Sequence, residues 1–145
     1  MSETYEAVSK EWVRALADHV ENRWGHIRFF HDAAWSHEYT DAPPHLLRDP
    51  GDRSVGFRYV IKDGKLRVED GFEHHGVDIA MIVAYDPVAH ALRIPDAEYH
   101  DWLKVDAPRL RKEGKILIIG NNAYTRAAWG FMWEVRDTFY AKYTA

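Results

Sequence analysis

The sequence contains no cysteine, which excludes disulfides, thiol nucleophiles and cysteine-ligated zinc. No apolar run approaches the ~18 residues of a membrane-spanning helix, so no integral membrane association is expected. The opening segment "MSETYEAVSKEW" lacks the apolar core of a secretory signal, and we expect a cytoplasmic location. Basic residues are not in excess: 19 Lys and Arg against 23 Asp and Glu give a net charge of −4, which argues against a nucleic-acid partner.

The composition that remains is globular and rich in aromatic residues. Hydrophobic residues make up 46% of the 145 positions and aromatic residues 14%. A chain of this length can bury a stable hydrophobic core without disulfides or structural metal ions, and it predicts one domain spanning residues 1–145.

The first third of the chain predicts helices. Apolar residues at helical spacing predict a helix from Thr4 to about Asn22, formed around Tyr5, Val8, Trp12, Leu16 and Val20. Residues 27–41 have mixed periodicity, which we interpret as part helix. The prolines of residues 42–52 predict a connection with one short helical turn.

After Gly51 the apolar period changes from 3.6 to 2, which is typical of strands. One face is predicted to carry Val55, Phe57, Tyr59 and Ile61, and the returning strand Leu66 and Val68. Between them, Asp63-Gly64 predicts a two-residue hairpin turn. The run "VDIAMIVAYD" is apolar on both faces, so it predicts a strand in the middle of a sheet, covered on both sides.

The remaining chain predicts a short helix over "DPVAHALRI", a second over "DAEYHDWLKV" that Pro108 ends or kinks, and a short buried strand over "GKILIIG". A last helix is predicted from Asn121 to about Tyr143, with a narrow polar stripe of Arg126, Glu134 and Asp137. Its wide apolar surface must be buried on two sides. The second side could belong to the core, line a ligand cavity, form a homodimer or meet a membrane surface.

Nine histidines raise the question of a metal site, but none of the strong ligand spacings is present. We therefore predict no metal and no cofactor. In "EDGFEHHGVD", the adjacent His74 and His75 would point to opposite faces of an extended chain, so we expect a loop rather than a pair of ligands.

Asp78 lies at the start of the apolar strand, where an unpaired carboxylate would be costly to bury. It either makes hydrogen bonds that fix the entry of the strand or forms an acid–base pair with a histidine at a cavity rim. Under the second interpretation the candidate catalytic residues are Asp78, His74, His75 and Tyr85.

From Ser54 onwards the chain resembles the sterol carrier protein type 2 family. The matching segments are "YVIKDGKLRVEDG", "GVDIAMIVAY", "DPVAHAL", "GKILIIGN" and "AYTRAAWGFMWEV". The resemblance implies an α+β fold: a mostly antiparallel twisted sheet of about five strands, with helices that cover one face and enclose an apolar cavity for a sterol, a fatty acyl chain or another hydrophobic molecule. Segments 23–53 and 93–113 depart from the family pattern, and the many Trp and Tyr residues favour a compact, ring-shaped ligand.

The sequence is compatible with three functions. The first is binding or carriage of a small hydrophobic ligand, for which the predicted lining residues are Met81, Val83, Trp129, Phe131, Met132 and Trp133. Trp129 and Trp133 share one arc of the last helix and Phe131 another, so only about half of this set can face a cavity together. The second is a small cofactor-free isomerase, hydratase or lyase. The third is an interaction protein that forms a homodimer through the last helix.

Overall fold

The computed structural model describes residues 3–120 and 130–145, with only the backbone of Gly130. Its helices are α1 (Lys10–Trp24), α2 (Tyr85–Arg93), α3 (Asp96–Lys112) and α4 (Gly130–Val135). A π-helical turn, Arg136–Tyr140, and an α-helical turn, Ala141–Tyr143, follow α4 directly, and we call 130–143 the terminal helix. The strands are β1 (Ala33–Thr40), β2 (Ser54–Lys62), β3 (Lys65–Asp70), β4 (Ile79–Ala84) and β5 (Ile116–Ile119).

The five strands form one sheet in the order β3-β2-β1-β4-β5. Three of the neighbouring pairs are antiparallel, and β1 with β4 is parallel. The predicted α+β fold with a mostly antiparallel sheet of five strands is therefore confirmed. As predicted, β4 lies inside the sheet, between β1 and β5.

The helices pack on one face of the sheet, which we call the helix face. On it, the buried side chains of alternate residues on β1 and β2 form the core: Trp35, His37, Tyr39, Val55, Phe57, Tyr59 and Ile61. The helices add Trp12, Leu16 and Val20 from α1 and Val135 and Phe139 from the terminal helix. The opposite face, which we call the open face, carries the Arg58–Glu69 ion pair and the exposed Leu117 and Ile119.

The predicted first helix begins later than expected, at Lys10 instead of Thr4. Ser9 caps it, because its hydroxyl accepts the Trp12 N–H at 3.1 Å. Val8 has φ of +61°, a left-handed conformation that no helix can continue through. The segment before Ser9 instead reaches the chain end, where the Tyr5 N–H donates to the Tyr143 carbonyl at 2.8 Å.

The interpretation of residues 27–41 as part helix is wrong, because residues 33–40 form β1, a strand at the centre of the sheet. Its helix face carries His37 among aromatic residues, and its open face carries the fully buried Ser36. The polar His37 on the helix face and the buried Ser36 on the open face interrupt the alternation of apolar and polar residues that identifies the other strands in the sequence.

Two further sequence predictions differ from the structure. Strand β5 is not buried: it is an edge strand, on which Leu117 is 49% and Ile119 52% exposed. Helix α3 does not end at Pro108 but continues to Lys112. Pro108 is exposed, so the carbonyl that loses its partner can be hydrated. The helical turn in 42–52, the 63–64 hairpin and α2 are confirmed.

Candidate functional site

A pocket of about 260 Å³ lies between the helix face of the sheet and the helices. Its floor is formed by three neighbouring strands, which contribute His37 and Tyr39 from β1, Met81 and Val83 from β4, and Ile116 and Ile118 from β5. These six residues face the same way because His37 pairs with Met81, Met81 with Ile118, and Val83 with both Tyr39 and Ile116.

The walls of the pocket come from α2, α3 and the terminal helix. They are formed by Val88, Ala91 and Leu92 of α2, by Tyr99, Trp102, Leu103, Ala107 and Arg111 of α3, and by Met132, Trp133, Arg136 and Tyr140 of the terminal helix. Most of these side chains are apolar or aromatic, which is typical of a site for a hydrophobic small molecule.

An aromatic cluster lies where α3 meets the terminal helix. Tyr99 stacks on Trp102 with ring centroids 5.9 Å apart, and Trp133 meets Tyr99 edge-on at 6.0 Å. Trp133 is 51% exposed, so one part of its indole faces the pocket and another faces solvent.

Four of the six predicted lining residues, Met81, Val83, Met132 and Trp133, line this pocket. Phe131 does not: it is buried on the other side of the terminal helix, with its ring centroid 5.5 Å from those of Trp35 and Tyr59. Trp129 lies outside the described residues. The structure thus separates Trp133 from Phe131, as their different arcs on the helix predicted.

The segment between β3 and β4, residues 71–78, crosses the open face of the sheet. The strand order requires this crossing, because β2 and β1 lie between β3 and β4. The Glu73 N–H donates to the Ser36 hydroxyl at 3.0 Å, and His74 Nε2 lies 2.8 Å from Glu38 Oε1. Ser36 and Glu38 alternate with His37, so this polar cluster and the pocket are on opposite faces.

The candidate acid–base residues consequently do not meet in the pocket. The Asp78 carboxylate accepts the Ala34 N–H at 2.9 Å, which fixes the start of β4 against β1. His75 is exposed. The hydroxyl of Tyr85 donates to the Ala7 carbonyl at 2.8 Å, and burial raises its pKa to about 12. None of these residues is among the described residues that line the pocket.

Two polar residues buried at the pocket, His37 and Arg136, were not predicted from the sequence; they are 5% and 4% exposed. Burial lowers the pKa of His37 to about 3, with a smaller contribution from His74, so the imidazole is neutral at pH 7. Arg136 was overlooked beside the polar stripe of the last helix. A single arginine on an otherwise apolar arc is the signal that could have identified it.

A second, larger groove of about 620 Å³ lies between α1, the segment before it and the terminal helix. Its lining includes many charged or polar side chains, among them Glu3, Lys10, Glu11, Arg14, Asp18 and Asn22. A hydrophobic ligand would gain little there, since apolar burial provides most of the affinity for such ligands. The pocket on the helix face is therefore the candidate site.

Two searches of the described residues bear on other kinds of site. No group of three or more His, Asp or Glu side chains within 3–120 and 130–145 is arranged to hold a metal ion. Over the same residues, no helix is both long enough and apolar enough to cross a bilayer.

The fold and the pocket together define a class: an α+β domain whose helices cover one face of a five-stranded sheet above an apolar pocket. Among solved structures, a crystal structure of sterol carrier protein 2 has this fold, with a TM-score of 0.57 and 9% identity over 96% of this chain and all of the other. A solution structure from Thermus thermophilus, described as a candidate sterol carrier protein, has a TM-score of 0.50 and 10% sequence identity. The match covers 99% of this chain and 94% of the other. No protein-family profile and no curated protein sequence matches this chain. The resemblance predicted from the sequence is confirmed at the level of the fold.

Proposed function

We propose that this protein binds and carries a small hydrophobic ligand in the pocket on the helix face of the sheet. The observation that carries the proposal is the lining: six floor residues from three strands, together with aliphatic side chains of α2 and aromatic side chains of α3 and the terminal helix, form a largely apolar surface. The name of the fold neighbour, sterol carrier protein 2, supports the same general function.

The size of the pocket favours a compact ligand. At about 260 Å³ it is smaller than the ~300–1,000 Å³ that is typical of pockets for drug-sized molecules. Its aromatic walls offer flat surfaces to a ring. We therefore propose an aromatic or cyclic ligand instead of an extended acyl chain.

The test begins with the purified chain, analysed by native mass spectrometry and by solvent extraction for a co-purified ligand. Protein stripped by unfolding and refolding is then titrated with a sterol, a fatty acid and a naphthalene derivative. Binding is followed by tryptophan fluorescence, because Trp102 and Trp133 line the pocket. We expect the naphthalene probe to bind most tightly. If none of the probes binds and no ligand is extracted, the proposal is wrong.

Strand β5 offers a matched pair of variants. Ile118→Phe adds volume on the pocket side, whereas Leu117→Phe adds the same group to the exposed open face one residue earlier. We expect Ile118→Phe to weaken probe binding at least tenfold and Leu117→Phe to leave it unchanged. Equal effects of the two substitutions would place the ligand elsewhere.

No observation favours the cofactor-free enzyme, since its candidate residues Asp78, His74, His75 and Tyr85 are not among the lining residues described for the pocket. The comparisons give no support to the homodimer. The terminal helix meets the core with Val135 and Phe139 and the pocket with Met132 and Trp133.

A further inference from the structure

Four buried side-chain nitrogen atoms have no hydrogen-bond partner among the described residues, and two of them belong to residues that line the pocket. These two are Nε of Arg136 and Nε2 of His37. Both side chains line the pocket, one from the terminal helix and one from β1. Buried polar atoms are nearly always paired in folded proteins, so two unpaired nitrogens in one pocket require an explanation.

The guanidinium of Arg136 is held in place by neutral groups. Nη1 donates to the Ala91 carbonyl and Nη2 to the Ile94 carbonyl, each at 2.7 Å, so the side chain caps the end of α2. The Tyr99 ring covers one face of the guanidinium, 3.4 Å from Cζ to the centroid. These contacts fix its position, and none of them involves a carboxylate.

The acidic groups near Arg136 are exposed. Asp96 Oδ1 lies 3.8 Å from Nε, beyond hydrogen-bond distance, and the Asp96 side chain is 56% exposed. Burial lowers the pKa of Arg136, while attraction from Tyr99, Asp96 and Asp137 opposes this. An arginine remains charged in proteins even when it is buried. Arg136 therefore brings to the lining of the pocket a positive charge and one N–H without a hydrogen bond, with the half-exposed Asp96 as its ion-pair partner.

His37 provides the second polar contact. Its ring stacks on that of Phe57, its neighbour across the strand pair, with centroids 4.7 Å apart, which fixes the orientation of the imidazole. A neutral imidazole can place its proton on Nε2 and donate one hydrogen bond there. It adds a donor without adding charge.

We propose that the ligand is a compact hydrophobic carboxylic acid whose carboxylate pairs with Arg136 and accepts a hydrogen bond from His37. This inference rests on the proposed function and specifies its ligand. The apolar body would lie on Met81, Val83 and Ile118, against the aromatic walls. A neutral ligand of the same shape would leave the buried guanidinium with only the long ion pair to the half-exposed Asp96, which is less favourable than direct pairing with a buried carboxylate.

The test compares ligands that differ only in charge. Stripped protein is titrated calorimetrically at pH 7 with 1-naphthaleneacetic acid and with its primary amide. We expect the acid to bind at least tenfold more tightly. Equal binding, or tighter binding of the amide, would overturn this inference and leave the proposed function standing. Failure of both probes to bind would count against both proposals.

Protein variants locate the anchor. Arg136→Gln should abolish the preference for the acid, whereas Arg111→Gln, which removes an exposed charge from the lining, should preserve it. The reverse result would place the anchor at Arg111 and overturn the proposal. Circular dichroism checks that each variant is folded.

Asp96→Asn keeps the test decisive if Arg136→Gln does not fold. Removing this exposed carboxylate leaves Arg136 more available, so binding of the acid should tighten about threefold while binding of the amide stays constant. Glu98→Gln removes the same charge from the same first turn of α3 and serves as the matched control. If the two substitutions tighten binding of the acid equally, the cause is the lower negative charge of the first turn of α3. That result would contradict pairing of the ligand carboxylate with Arg136.

Discussion

At the scale of single residues, the polar groups that stand out in the sequence differ from those that the fold buries at the pocket. Asp78 and His74 are conspicuous in the sequence, but both are used to attach the segment 71–78 to the sheet. His37 and Arg136 have ordinary sequence surroundings, and the fold removes both from water. The protonation and pairing of a side chain depend on its neighbours in space, which its neighbours in sequence do not specify.

The buried His37 should make stability depend on pH. Its pKa is lowered from 6.5 to about 3 on folding, so below pH 6.5 the unfolded chain takes up a proton that the folded chain does not. The free energy of unfolding is therefore unaffected by the protonation of His37 above pH 6.5. Below pH 6.5 it falls by about 1.4 kcal/mol per pH unit until the pH reaches about 3. Urea unfolding at pH 7 and pH 5 measures it.

His37→Phe should reduce this loss of stability, because a phenyl ring can occupy the same place without binding a proton. His75→Phe, at an exposed position, controls for the loss of a histidine. His19, whose pKa burial also lowers, remains in both variants and contributes a pH dependence of the same sign. Equal pH dependence in wild type and His37→Phe would contradict the prediction.

At the scale of elements, the sheet is built from local signals and completed by long-range pairing. The β2–β3 hairpin is determined locally, because Asp63 and Gly64 both have positive φ, +53° and +85°. Such a turn matches the twist of the strands that it joins. Strand β1 lacks such a signal and depends on its pairing with β2 and β4.

Gly64→Ala should destabilise the protein by about 1 kcal/mol, since a side chain is strained at this φ. The midpoint of thermal unfolding should fall by about 3 °C. Gly51→Ala is the matched control: a Cβ there meets nothing within 4 Å and φ is not positive, so the change should stay within about 0.5 kcal/mol. Equal shifts would show that the hairpin turn is not the cause.

At the scale of the whole molecule, the two ends of the described chain are joined across the core. The Trp12 indole, which is fully buried, donates to the Thr144 hydroxyl at 2.9 Å. Backbone hydrogen bonds of 2.8 Å run from the Tyr5 N–H to Tyr143 and from the Ala145 N–H to Tyr5. These bonds hold α1 and the terminal helix, which forms one wall of the pocket, in a fixed relation.

Thr144→Val should destabilise the protein by about 1–3 kcal/mol, because the buried indole N–H of Trp12 loses its acceptor while the shape is kept. Thr4→Val makes the same change at an exposed position and should have little effect. Chemical unfolding followed by tryptophan fluorescence measures both. A Thr144→Val variant as stable as wild type would show that the bond does not connect the two ends energetically.

The sequence alone determined the features that depend on local chain geometry. The alternation in β2 and β3, the turn at Asp63-Gly64 and the helical segments after Pro87 and Pro95 all follow from patterns within a few residues. The same patterns carried the resemblance that predicted the α+β fold. They also placed Met81 and Val83 on one face of β4 and Met132 and Trp133 on the last helix.

The tertiary structure alone decided which face of the sheet each group belongs to. The order β3-β2-β1-β4-β5 sends His74 and Asp78 across the open face, while the packing of α2, α3 and the terminal helix buries His37 and Arg136 on the other. Strand order is set by pairing between distant segments, whose free energy depends on the whole core. No local pattern contains that information, so the two buried polar residues of the pocket became apparent only in the folded chain.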